Sequence, residues 1–123
     1  MPNLAPVEIK AFVPAKDFDV SKQFYTDLCF DVVWSTDDLA YLRRDGTSFL
    51  LQRFYEPKHA SNFMMHLLVE DADAWFAHVQ ASDVAGRYGV RLTPIEDRPW
   101  GLREFTLDDP TGVLWRIGHE LAA

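Results

Sequence analysis

One order of apolar periodicities runs twice along this chain, and few folds accept such a repeat. Residues 7–13 form a short apolar run that stops at Pro14. Asp17 or Asp19 then offers a helix N-cap, and Val20, Phe24 and Leu28 follow at i, i+4 and i+8, one face of a helix. Three β-like runs come next, at 30–35, 39–43 and 47–55, with Asp37-Asp38 and Asp45-Gly46 as turns between them. Residues 56–61 read as a linker, and after them the order returns. A strand at 63–69 precedes a helix capped by Asp71, with Asp73 in its first turn and Ala72, Phe76 and Val79 as its apolar face. Gly86 and Gly89 mark the helix exit, and strands follow near 90–93, 102–107 and 113–117.

Two βαβββ modules, at about 5–55 and 62–119 of a single domain 1–123, therefore describe an α+β fold. Each module predicts a sheet with one helix on its outer face. Two such sheets side by side predict an incomplete barrel with a central groove and the helices packed outside. Successive strand residues point to opposite faces, so alternation sorts them between helix and groove. In the last strand Val113, Trp115 and Ile117 suit packing under a helix, while Leu114, Arg116 and Gly118 face the groove. In the strand at 63–69 the odd residues Phe63, Met65, Leu67 and Val69 pack, and Met64, His66 and Leu68 face inward.

Composition narrows the function classes. A net charge of −7 argues against nucleic acid, whose phosphates need a basic face. No apolar run reaches the roughly 18 residues that a membrane helix requires, and the first residues lack a basic start and an apolar signal core. The expectation is a cytoplasmic protein without membrane or nucleic-acid partners. The one cysteine, Cys29, ends the first helix's apolar face, where burial makes a thiol inert. His59, His66, His78 and His119 show no metal-binding spacing, and no Gly-x-Ser-x-Gly elbow occurs. His78 reads as a surface or boundary residue, and His59 and His119 as solvated. His66 alone should reach the groove, either as a ligand tether or as a satisfied core histidine.

Several segments carry a family resemblance. Phe24-Tyr25-Thr26-Asp27-Leu28, the following Phe30, and the hairpin with Pro99-Trp100-Gly101, Arg103-Glu104-Phe105 and Asp109-Pro110-Thr111-Gly112 stand in an order that resembles the vicinal oxygen chelate family. That family includes glyoxalase I, extradiol dioxygenases and bleomycin resistance proteins. The resemblance covers essentially the whole chain and is nearest to the bleomycin resistance proteins. Metal-using members of the family place His, Gln or Glu on inward positions of the first, fourth, fifth and eighth strands. Here those positions fall on Lys10, Gln52, Met64 and Arg116. Lysine and arginine are cations with no lone pair to offer, and a thioether suits soft metals. The expectation is therefore no metal, no cofactor and no catalytic residue.

Recognition remains. The resemblance implies a homodimer that sequesters a bleomycin-like drug, unmodified, in a groove at its interface. The chain holds four tryptophans, four tyrosines and nine phenylalanines. Trp75 and Trp115 suit helix-side packing. Trp34, Tyr41, Phe54 and Trp100, near strand ends or in a loop, could stack on planar rings or clamp an amine. Gln52, His66, Glu104 and Arg116 complete the candidate ligand-binding set. Lys10 and Arg116 place positive charge inside, either paired with Glu8 and Glu104 or offered to a ligand anion. The alternative function is a metal-dependent lyase, isomerase or dioxygenase of the same fold. A third reading is a binder of another small metabolite.

Overall fold

The computed structural model describes residues 2–122. The first half comprises β1 (Phe12–Pro14), α1 (Phe18–Leu28), β2 (Asp31–Ser35), β3 (Leu39–Arg44) and β4 (Thr47–Gln52). A short helix α2 (Pro57–Ser61) leads to the second half, which comprises β5 (Met64–Leu68), α3 (Ala72–Ser82), α4 (Val84–Tyr88), β6 (Glu96–Asp97), β7 (Leu102–Asp108) and β8 (Leu114–Glu120). The halves make two four-stranded sheets of matching order, β1-β4-β3-β2 and β5-β8-β7-β6. In each, the strand before the helix lies parallel to the last strand and the other pairs are antiparallel. The sheets do not close into a barrel.

The helices begin where short acceptors satisfy their free N–H groups. Asp17 accepts from the Val20 N–H and Asp71 from the Ala74 N–H. The buried face of α1 is Phe18, Ser21, Phe24, Tyr25 and Leu28, whereas Val20 is exposed, so the expected stripe was rotated by part of a turn. With α3 and α4, these side chains meet the helix-facing residues of both sheets in one core. Phe30 and Phe49 of the first half reach Trp115 of the second, with ring centroids 5.8 and 5.3 Å apart.

A buried polar tie crosses the same core. The Tyr25 hydroxyl donates to Asp109 Oδ2 at 2.5 Å and accepts from Trp115 Nε1 at 2.8 Å. The other oxygen of Asp109 accepts from the N–H groups of Thr111, Gly112 and Val113, each at 2.9 Å. Gly112, at φ +100°, takes a conformation that side chains oppose. The Asp-Pro-Thr-Gly turn is thus an anion cradle that docks the last hairpin on α1. Burial pushes the Tyr25 phenol well above its usual pKa, which keeps it a donor at neutral pH.

Several expectations need correction. The run at 7–13 is a strand only from Phe12, and Val7 and Ile9 are 96% exposed. The strand at 47–55 stops at Gln52, which leaves Phe54 and Tyr55 beyond it. The stretch at 56–61 is helical from Pro57, because the Glu56 carboxylate accepts from the Lys58 N–H and proline suits the first turn. Gly86 does not end a helix but lies inside α4, where a Cβ would stand 2.6 Å from Asp83 Oδ1. The strand near 90–93 is reduced to one bridge, Leu92 to Leu107. His119 is not solvated: its Nδ1 accepts the Ala72 N–H at 2.8 Å and so caps α3.

Candidate ligand-binding faces

On each sheet the side opposite the helices is open. In the first sheet alternation sends Ala40, Leu42, Phe49 and Leu51 to the core and leaves Leu39, Tyr41, Ser48, Leu50 and Gln52 on the open side. Trp34 reaches the open side through a bulge. Val32 pairs with Leu42, but the register shifts so that Trp34 pairs with Tyr41 rather than following Val32 to the helix side. The Trp34 and Tyr41 rings lie 6.0 Å apart. Phe54, 65% exposed, lines with Gln52 and Leu39 an open hollow of about 430 Å³ at the end of this sheet.

An irregular segment before β1 covers part of this face. Glu8 accepts from the Tyr41 hydroxyl at 2.8 Å and from the Ser48 hydroxyl, and these bonds hold its carboxyl below the usual range. Lys10 lies 3.4 Å from Glu8, with its ammonium 5.3 Å from the centre of the Tyr41 ring. The pairing of Lys10 with Glu8 foreseen as one option is the one adopted.

On the second sheet Met65, Leu67, Phe105, Leu107, Trp115 and Ile117 pack inward, and Met64, His66, Leu68, Glu104 and Arg116 take the open side. His66 stands opposite Arg116 in the ladder and is exposed rather than a core histidine. Arg116 Nη2 donates to Glu104 Oε1 at 2.5 Å, and its guanidinium carbon lies 5.3 Å from the centre of the Trp100 ring. Arg98 approaches the same ring at 5.9 Å and pairs with Glu96 at 2.9 Å. Glu104 is only 2% exposed, although among the described residues Oε2 has no hydrogen-bond partner, and neither has the buried Nε of Arg98. Glu104 is paired across the ladder with Gly118, where an added Cβ would come within 2.7 Å of the Glu104 Cβ. That glycine lets the two strands approach closely beside Glu104.

The eight candidates therefore form two groups. Trp34, Tyr41, Gln52 and Phe54 belong to the first face, and His66, Trp100, Glu104 and Arg116 to the second. Among the described residues no hydrogen bond, ion pair or ring contact joins the groups. A cleft of about 300 Å³ between β4 and β5 is lined by Ser48 and, of the eight, by His66. Glu96, Arg98 and Ser48 were absent from the candidate set. Ser48 could have been found, since it alternates with Leu50 and Gln52 on one strand.

The positions that the family resemblance assigns to metal ligands are Lys10, Gln52, Met64 and Arg116, of which Lys10 precedes β1 rather than standing on it. Two of the four are cations already engaged with carboxylates, and Met64 offers an exposed thioether. This donor set does not fit a hard or borderline divalent ion. Among the described residues no three His, Cys, Asp or Glu side chains stand together as a possible metal site. Among the described residues no helix is long and apolar enough to cross a membrane. The Cys29 thiol is pushed up in pKa by burial, away from nucleophilic character.

Comparison with known proteins agrees with the architecture. A bleomycin-binding protein complexed with bleomycin superposes with a TM-score of 0.78 at 22% identity, covering 94% of this chain and 99% of that one. The bleomycin-binding protein of bleomycin-producing Streptomyces verticillus, complexed with copper(II)-bleomycin, gives 0.76 at 25% identity over 97% and 100%. Lactoylglutathione lyase from Agrobacterium tumefaciens gives 0.70 at 16% identity over 95% and 96%. No curated protein sequence matches the chain. The family model described as Glyoxalase/Bleomycin resistance protein/Dioxygenase superfamily matches residues 7–117. By its sequence over that span, and by the two matching sheets that the span builds, the chain belongs to the glyoxalase/bleomycin resistance protein/dioxygenase superfamily.

Proposed function

We propose that the chain is a metal-independent small-molecule binding protein of the bleomycin resistance type, which sequesters its ligand without modifying it. The observation that carries this reading is the chemistry of the open faces. Each presents an exposed tryptophan beside an ion-paired cation, Trp34 and Tyr41 with Lys10 on one, Trp100 with Arg116 on the other. Aromatic faces of this kind bind planar rings, each stacked pair contributing about 1 kcal/mol beyond area burial. Among the described residues no three His, Cys, Asp or Glu side chains gather to hold a metal, and two of the positions that the resemblance assigns to ligands, Lys10 and Arg116, carry cations. The bleomycin-binding proteins that share the fold make a bleomycin-like drug, or a ligand of similar shape, the first candidate.

A homodimer is part of the proposal. Phe12, Val33, Trp34, Met64, Leu68 and Trp100 are all more than two-fifths exposed, an apolar surface that a second copy would cover. Such a dimer would turn two shallow faces into grooves. Titration with bleomycin, followed by tryptophan fluorescence, tests the ligand. Saturation in the micromolar range is expected, and a flat response to bleomycin would remove the drug. Sedimentation tests the assembly, and a species of only 14.1 kDa at all concentrations would remove the dimer.

A further inference from the structure

We propose that Arg116 is a specificity plug: its guanidinium fills, from within the chain, a cation-binding box made by Glu104 and Trp100. The ligand of this face therefore presents no cation at that point. The inference rests on the reading of the open faces as binding surfaces, and it deepens that reading by naming what the second face refuses.

Three observations carry it. First, Arg116 makes the two contacts that a free alkylguanidinium or amidinium would seek, a carboxylate at 2.5 Å and an indole face at 5.3 Å. Second, the box is built rather than incidental. Glu104 is 98% hidden, and Gly118 opposite it leaves the space that any Cβ would take. A carboxylate so far from water persists only with a partner. The neighbouring cation, Arg98, is held by Glu96. Third, the plug fits imperfectly. Among the described residues only one nitrogen of Arg116 bonds Glu104, and Oε2 has no partner. Arg116 enters from the β8 backbone, paired with Thr106 on one side and His66 on the other, so its fork is fixed in approach. A free amidinium, with no backbone to restrain it, can turn to bond both oxygens side by side.

Removing the plug should open the box. The test compares the wild-type chain with Arg116→Ala and with Arg116→Ala/Glu104→Gln, with benzamidinium as the cationic probe and benzyl alcohol as the uncharged one. Tryptophan fluorescence and the thermal midpoint are the readouts. Arg116→Ala is expected to bind benzamidinium about tenfold or more tighter than wild type, the gain of a paired carboxylate and a cation–π contact. The double variant should return to the wild-type response, and benzyl alcohol should not distinguish the three. Should Arg116→Ala fail to fold alone, refolding with benzamidinium must recover it, while the same concentration of sodium chloride must not. Equal benzamidinium binding by wild type and Arg116→Ala would overturn the proposal. So would full binding by the double variant, or a collapsed Arg116→Ala that the probe cannot recover. Bleomycin titration of the wild-type chain is read separately. A chain that ignores bleomycin, while Arg116→Ala gains benzamidinium, loses the drug and keeps the plug.

Discussion

Tyr25→Phe isolates the buried tie between the two halves, because it deletes one oxygen and little else. The ring packs edge-on against Phe24 and Phe49 at 5.2 and 5.0 Å and stays in place, so no cavity of consequence forms. What is lost is a bond to the Asp109 carboxylate at 2.5 Å and a bond from the Trp115 indole at 2.8 Å. Both partners are buried, at 1% and 2% exposure, and water cannot replace the hydroxyl without new space. A bond to a charged group contributes about 1.5–3 kcal/mol and a neutral one about 1 kcal/mol, so the expected loss is about 2.5–4 kcal/mol. Asp109 keeps its three backbone donors, which places the loss below that of an unpaired charge. Urea unfolding measures this as a lower midpoint with an unchanged slope. Pairing Tyr25→Phe with Asp109→Asn in a double-mutant cycle then reads the coupling directly. A loss under about 0.5 kcal/mol, within the range of ordinary surface substitutions, would refute the account of the tie as a stabilising bridge.

Three further outcomes follow from local geometry. Gly118→Ala forces a Cβ to 2.7 Å from the Glu104 Cβ and 2.8 Å from the Arg103 carbonyl oxygen, and the strands must part. Thermal unfolding should show a cost of about 1–3 kcal/mol, as for other overpacked sites. Asp27 accepts from the Tyr88 hydroxyl at 2.5 Å and from Arg87 at 2.7 Å, tying α1 to α4. Chiefly through the Tyr88 bond, its carboxyl titrates below the ordinary value. Its stabilisation is therefore present above the unfolded-state value near 4 and lost as pH falls through the lower folded value. Asp27→Asn should cost about 1 kcal/mol at neutral pH and progressively less in acid, measured by unfolding across pH; a pH-independent deficit would contradict this. Metal analysis of chain purified without chelator should find no stoichiometric zinc, nickel, manganese or iron, and one equivalent of any of them would contradict the binding-only reading.

The repeat and the alternation were legible because both depend on local period. Asp17 and Asp71 announce their helices, and the odd–even split of the last strand places Trp115 in the core and Arg116 outside it. Less legible was whatever depends on a distant partner. Residues 7–11 are apolar enough for a strand, yet the ladder to β4 begins only at Phe12. Trp34 has its side chosen by a bulge that no periodicity announces. His119 looked solvated at a strand end, but its acceptor role is set by α3, 47 residues earlier. The candidate site shows the same division. Tyr41, Gln52, His66, Glu104 and Arg116 lie on the open faces as alternation implies, while the pairing of Glu104 with Arg116 depends on the register that brings β7 beside β8.

The tie at Tyr25 also bears on the order of events during synthesis. Its acceptor stands 84 residues downstream, and the indole that donates to it 90 residues downstream. While the first half leaves the ribosome, the Tyr25 hydroxyl has neither partner, and the rings destined to enclose it face solvent or one another. Contacts so remote in sequence close late, since the intervening chain must exist before it can be looped back. The repeated halves look like separable units on paper. The first cannot complete its buried tie until the second has been made.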